Sequence, residues 1–140
     1  MSAEKHYNQD YYKWQRHIGV FGAQANKIKF EKLVHDGLKV LDFGCGGGFL
    51  LNEFNKKIEK FGVEINEISR NEAIKNGVNC YKSSKDLPSN FFDLIISNNA
   101  LEHCENPFLE IKELYRALKK DGIICVVVPL DSLNYKYEKD

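Results

Sequence analysis

At 140 residues, with 43% of them hydrophobic, the chain has room for one domain around a single core and too little for a second. Twenty Lys and Arg balance twenty Asp and Glu, so no overall field draws it to nucleic acid or to an anionic membrane; a small or locally docked ligand fits better. The N-terminus lacks the long apolar core of a signal peptide and no run approaches the length of a membrane span, so a cytoplasmic location is the expectation.

The chain opens on Tyr7, Tyr11, Tyr12, Trp14 and Phe21 set among polar residues. Such a segment either covers the helical layer of a sheet or closes as a lid over a ligand, so residues 1–38 are set apart from 39–140. Over residues 24–34, Ala25, Ile28, Phe30, Leu33 and Val34 form an imperfect helical stripe, which His35-Asp36-Gly37 stops. Four cysteines, Cys45, Cys80, Cys104 and Cys125, are widely spaced with no C-x-x-C pair. They read as reduced, small buried hydrophobes, not as a zinc clip or a local redox motif.

Residues 39–51, K-V-L-D-F-G-C-G-G-G-F-L-L, read as strand, tight glycine loop and helix. Glycines at Gly44, Gly46 and Gly48 allow positive φ and leave no Cβ between loop and ligand, while the helix start presents unpaired N–H groups. A dinucleotide fingerprint would place its third glycine at position 49, where Phe49 stands. The pattern present, D-x-G-x-G-x-G from Asp42 to Gly48, resembles motif I of the class I S-adenosylmethionine (SAM) dependent methyltransferases, and the resemblance extends over about residues 39–129. It implies SAM as cofactor, held by Asp42, Gly44, Cys45, Gly46 and Gly48.

Leu50, Leu51, Phe54 and Ile58 suggest a helix of about ten residues after the loop. Residues 60–65 read as a second strand ending on Glu64-Ile65. Glu64 lies twenty residues beyond Gly44, the separation at which an acid at a second strand tip reaches a ribose. The bland alternative makes Glu64 an acid at the start of the next helix, over residues 66–76, which Gly77 closes. The resemblance supports the ribose role. Residues 78–81 suggest a third strand, and K-S-S-K-D-L-P-S-N-F-F then resembles the family's adenine loop, D-A-x-x-L-P. There Ser83 replaces the family's Asp, so that contact falls to a hydroxyl or is lost, while Ser84 offers a backbone N–H.

D-L-I-I-S over residues 93–97 suits a strand buried on both faces. Asn98 follows at its tip, and the resemblance sets it against the methionine portion of SAM; alternatively it only turns the chain. Glu102-His103 is a tempting proton acceptor, yet many family members carry L-E-H here, so His103 is only a candidate catalytic residue. Some members with E-x-x-E-H bind a divalent metal; Asn99 stands in place of the first acid, and no metal site is expected. Asn106-Pro107 opens a helix that runs down to Lys119-Lys120-Asp121-Gly122, and residues 123–128 read as a fifth strand.

The expected architecture is α/β: a Rossmann-like three-layer sandwich with parallel strand order 3-2-1-4-5. Family strands six and seven are absent from this chain, since a helix and two strands do not fit after Pro129. The fifth strand then presents a bare apolar edge, a route to self-association. The expected reaction moves the SAM methyl to an O, N or C nucleophile of a small molecule; in the aromatic entry Y-Y-K-W-Q and the F-G-x-x-A-N segment the chain looks like methyltransferases of bacterial surface-sugar genes, which points to a surface-sugar precursor. No nucleic acid or membrane partner is expected. The alternatives are a SAM-binding scaffold or sensor without turnover, suggested by Ser83, and an NAD-dependent oxidoreductase, against which Phe49 counts.

Overall fold

A computed structural model describes residues 9–130. Tyr7, the side chains of Tyr11 and Tyr12, and residues 131–140 lie outside the described residues. The elements run α1 (Gln9–Lys27), β1 (Lys39–Phe43), α2 (Phe49–Glu53), β2 (Glu59–Val63), α3 (Glu67–Lys75), β3 (Asn79–Tyr81), β4 (Phe92–Asn98), α4 (Pro107–Ala117) and β5 (Leu118–Val127). The five strands form one parallel sheet in the order β3-β2-β1-β4-β5. The order reverses between β1 and β4, which opens a crevice at their carboxyl ends.

Strand alternation decides what each face holds. Val40 of β1 with Leu94 and Ile96 of β4 packs under Ala23, Leu51, Phe54 and Ala73, on the α1, α2 and α3 side. Leu41 and Phe43 with Ile95 pack against Leu114 and Ala117 of α4 on the other. Both faces are therefore apolar, as the Leu94-Ile95-Ile96 run of β4 requires. The same alternation turns Asp42 toward the α1 side, at the end of the strand, where the only acid of β1 meets the crevice.

Three expectations about element bounds are corrected. The helix after the glycine loop is five residues long, not ten: Phe54 leaves it with φ −74° and ψ 111° to bury its ring, and Ile58 reaches the core from the following loop. The helix expected over residues 24–34 is the end of α1, which stops at Lys27; a 3-10 turn over Glu31–Leu33 carries the remainder. Residues 119–122, expected as a stop, belong to β5 as a bulge: Phe92 pairs with Leu118 but Leu94 with Ile123, so five steps along β5 answer two along β4. Asp121 absorbs the bend at φ 67°. Among the described residues β5 pairs only with β4, and Ile123 and Val126 are exposed along it, with Val128 exposed just past its end.

Candidate functional site

The glycine loop is pinned from below and open above. Gly44 and Cys45 donate to the Val63 carbonyl at 2.9 and 3.1 Å, and Gly48 donates to Cys45 O at 2.9 Å. Gly44, Gly46 and Gly48 all have positive φ, yet they serve different ends. A Cβ on Gly44 would lie 2.5 Å from that of Ala100, and one on Gly48 would lie 2.8 Å from Val78, so these two permit close packing of loop on sheet. A Cβ on Gly46 meets nothing within 4 Å. Gly46 is thus the glycine left clear for a ligand.

Above it lies a cavity of about 190 Å³, lined by Asp42, Gly44, Cys45, Gly46, Gly47, Phe49, Leu50, Ser69, Asn98 and one face of α1. That face is Ile18, Gly19, Gly22, Ala23 and Asn26. In the sequence this stretch stands out only for F-G-x-x-A-N and its aromatics, although the spacing of Gly19, Gly22, Ala23 and Asn26 is that of a small-residue seam on a helix. Gly19 lets α1 lie close to Phe49, since a Cβ there would stand 3.2 Å from the ring and press on it.

Two carboxylates flank the loop. Asp42 is 3% exposed, lines the cavity and makes no side-chain hydrogen bond among the described residues. Burial, with the charge of Glu64 added, pushes its pKa up to about 8. A buried carboxyl without a partner is costly, so the cavity wall is prepared for a cation or a donor. Glu64 sits just past β2 and is held from both sides: Oε2 accepts from Gly46 N at 2.9 Å and Oε1 from Asn66 N at 2.9 Å. Burial raises its pKa, while those two N–H groups and Arg70 pull the other way. A carboxylate has about four acceptor sites, so roughly half of its capacity is left.

The other expected residues are spread around this core. Asn98 lines the cavity from the tip of β4, and its Oδ1 accepts from Lys29 Nζ at 3.2 Å. Gly48 and Ile65 do not line it; Ile65 is exposed beyond Glu64, and its carbonyl accepts from Arg70 Nη1. Ser83 caps a 3-10 turn over Ser84–Asp86, accepting from Lys85 N, and the Ser84 hydroxyl donates to Glu110 Oε2 of α4 at 2.5 Å. Arg116 ties that loop down through Leu87 O and Ser89 Oγ. His103 has a side chain 73% exposed, 3.9 Å from Glu102 Oε1, and does not line the cavity.

A parallel sheet with this strand order, carrying an open glycine at its switch point, an acid near the end of β1 and another just past β2, defines the Rossmann-like class of nucleoside-cofactor domains to which class I methyltransferases belong. Residues 8–139 match the methyltransferase domain family, and the chain belongs to it. It is 33% identical over 109 residues to 2-methyl-6-phytyl-1,4-hydroquinone methyltransferase 1, chloroplastic, of Oryza sativa subsp. japonica, covering 71% of this chain and 33% of the rice enzyme. It is 32% identical over 104 residues to the ubiquinone biosynthesis O-methyltransferase of Haemophilus ducreyi, covering 63% of this chain and 44% of that enzyme. The chain therefore spans less than half of either relative. A SAM-dependent methyltransferase from Aquifex aeolicus superposes with a TM-score of 0.68 at 21% identity, over 87% of this chain and 73% of that one, a likeness of fold. The methyl donor of the family is SAM, and the residues present fit it: a cleared glycine, an unpartnered buried carboxylate facing the cavity and a strand-tip acid with free acceptor sites.

Proposed function

We propose that the protein transfers a methyl group from SAM to an O, N or C nucleophile of a small molecule. The observation that carries this is the buried Asp42 carboxylate, unpartnered among the described residues, beside Gly46, the one glycine of the loop whose Cβ direction is clear. SAM bears an ammonium and a sulfonium, and Asp42 is the acid on the cavity wall suited to the ammonium. A cavity of 190 Å³ is below the roughly 300–1,000 Å³ of whole-ligand sites. It suits the methionine end, while the nucleoside extends over the tip of β2, where Glu64 offers acceptor sites to ribose hydroxyls and Ile65 an apolar face. Ser83 and Ser84 stand by the adenine through backbone groups, since the Ser84 hydroxyl is committed to Glu110.

The donor supplies a methyl on a positively charged sulfur, with a neutral thioether as leaving group. The chain then has only to orient, exclude water and admit the nucleophile, and placement alone can supply several kcal/mol, with ~7–11 kcal/mol reached in well-oriented intramolecular reactions. The α1 seam excludes water from above, and Asn98 limits the cavity from β4. A dedicated base is needed only for an acceptor that must lose its proton, and His103 is the candidate. In this reading α1 is the lid of the site. Two relatives are named for hydroquinone and ubiquinone chemistry, so hydroquinones head the acceptor panel, with sugar nucleotides beside them. Formation of S-adenosylhomocysteine over that panel tests the proposal: turnover with one acceptor class supports it, and SAM binding without turnover on any acceptor moves the reading to a SAM-binding scaffold.

A further inference from the structure

Cys45 and Cys80 are 35 residues apart in sequence, and their sulfurs stand 3.5 Å apart. Topology brings them together: Cys80 is the β3 partner of Gly62 in β2, and a side chain on Gly62 would occupy the seat of the Cys45 sulfur. The absence of a side chain at Gly62 is what lets the glycine-loop thiol lie across β2 against the thiol of β3. Cys45 is buried and Cys80 is partly open to solvent. Cys104 and Cys125 make no such pair.

We propose that Cys45 and Cys80 form a dithiol site that hydroperoxides oxidise to a disulfide, and that closing the disulfide weakens SAM binding by moving the glycine loop. The Cys80 thiol attacks the terminal oxygen of a hydroperoxide as thiolate; the O–O bond breaks, an alcohol or water leaves with a proton, and Cys80 becomes a sulfenic acid. The Cys45 thiol then attacks that sulfur, the S–O bond breaks and water leaves. Two thiols and one hydroperoxide yield one disulfide, one alcohol (water, from hydrogen peroxide) and one water. The order of attack follows the environment. The hydrogen bond between the thiols and burial hold Cys45 in its protonated form, and the same bond, helped by Arg70, favours ionisation of Cys80.

A disulfide needs its sulfurs at about 2.05 Å, so they must close by roughly 1.5 Å. Cys45 Sγ also contacts Gly46 O at 3.5 Å, and Gly46 N donates to Glu64. Drawing the sulfur toward β3 therefore shifts the residue left clear for the cofactor and the acid that steadies it.

The test treats the reduced chain with hydrogen peroxide, maps disulfides by peptide mass and titrates SAM before and after. The expected result is a linked Cys45–Cys80 peptide, two of the four thiols lost, and SAM affinity lower by about tenfold and restored by dithiothreitol. Cys80→Ser and Cys80→Ala, whichever keeps the wild-type circular dichroism, should bind SAM as the reduced wild type does and keep that affinity after peroxide. Cys80 oxidised to sulfinic acid with no linked peptide overturns the proposal. So does a linked peptide with unchanged SAM affinity, or equal loss of affinity in the Cys80 variant. The mass map needs no turnover and no variant, so it reads the dithiol independently of the methyl-transfer reading.

Discussion

The tips of β1 and β2 are bound up with the glycine loop by backbone and carboxylate hydrogen bonds, whereas the tip of β4 offers Asn98, touched by one exposed lysine, and His103 standing largely in solvent. On the first side each residue's position follows from its neighbours: Gly44 from Val63, Gly48 from Val78, Gly46 from Glu64. On the second side little restrains the side chains. A methyl donor common to a family can be served by the rigid half, and acceptors that differ between members by the loosely held half. The difference also explains why the chain's donor is readable and its acceptor is not.

The sharpest way to break this contrast is within the glycine loop. Gly46→Val is expected to lose SAM affinity by at least ~100-fold, about 2.7 kcal/mol, because its side chain enters ligand space and not protein, and its melting cost is limited to the strain of a β-branched residue at φ 53°. Gly44→Ala and Gly48→Ala add a clash with packed side chains to the same positive-φ strain, so they should lose more in melting temperature. Calorimetry and thermal melts on the three variants separate the two kinds of glycine; equal melting losses in all three would reduce the loop to a turn.

Next in size is Glu64→Ala, expected to weaken SAM binding by about 1.5–3 kcal/mol, the scale for hydrogen bonds to a charged group. The substitution also strands the Gly46 and Asn66 N–H groups, so Glu64→Gln should recover part of the loss. Unchanged affinity in a folded Glu64→Ala would remove the acid from the site.

Asp42 makes the donor side pH-dependent. Its pKa in the folded chain is about 8 and in an unfolded chain about 3.9. Between those values the folded state holds a proton that the unfolded state has released, so stability of the free protein falls as pH rises through the window and levels off above it. SAM affinity should run the other way, rising toward pH 8 as the carboxylate that pairs with the ammonium becomes available. Asp42→Asn should flatten both profiles, by a few degrees in melting temperature at pH 8. A wild-type melting profile that rises from pH 5 to 8 would contradict this.

The smallest effects on SAM belong to the open side. Phe21→Ala, at a ring 68% exposed on α1, and His103→Ala should leave SAM affinity within about twofold. If α1 is a substrate lid and His103 a base, turnover falls while affinity holds; loss of affinity in either variant would extend the donor site out to these surface residues. Sedimentation at increasing concentration addresses the β5 edge: concentration-dependent association that Val126→Lys abolishes would make that edge the route of self-association.

What was legible in the sequence was local. Asn106 accepts from Leu109 N as its cap position suggests, Gly77 adopts φ 86° after α3, and the apolar run of β4 required a sheet covered on both faces. What was missed depends on partners distant in sequence. The short α2 follows from Phe54 finding the core, and the β5 bulge from its register on β4. The α1 seam has meaning only beneath Phe49, and the Cys45–Cys80 contact needs Gly62 between two strands. Glu64 was read for a ligand and is equally the anchor of Gly46, a role no spacing rule carries.

The central claim is that the cavity between the glycine loop and α1 is a SAM site. Calorimetric titration of the purified chain with SAM, repeated with NAD, tests it most directly, because it depends on no acceptor. One SAM bound per chain, with no heat from NAD, is the predicted result; saturable NAD binding, or no SAM binding by a folded and reduced chain, would contradict it.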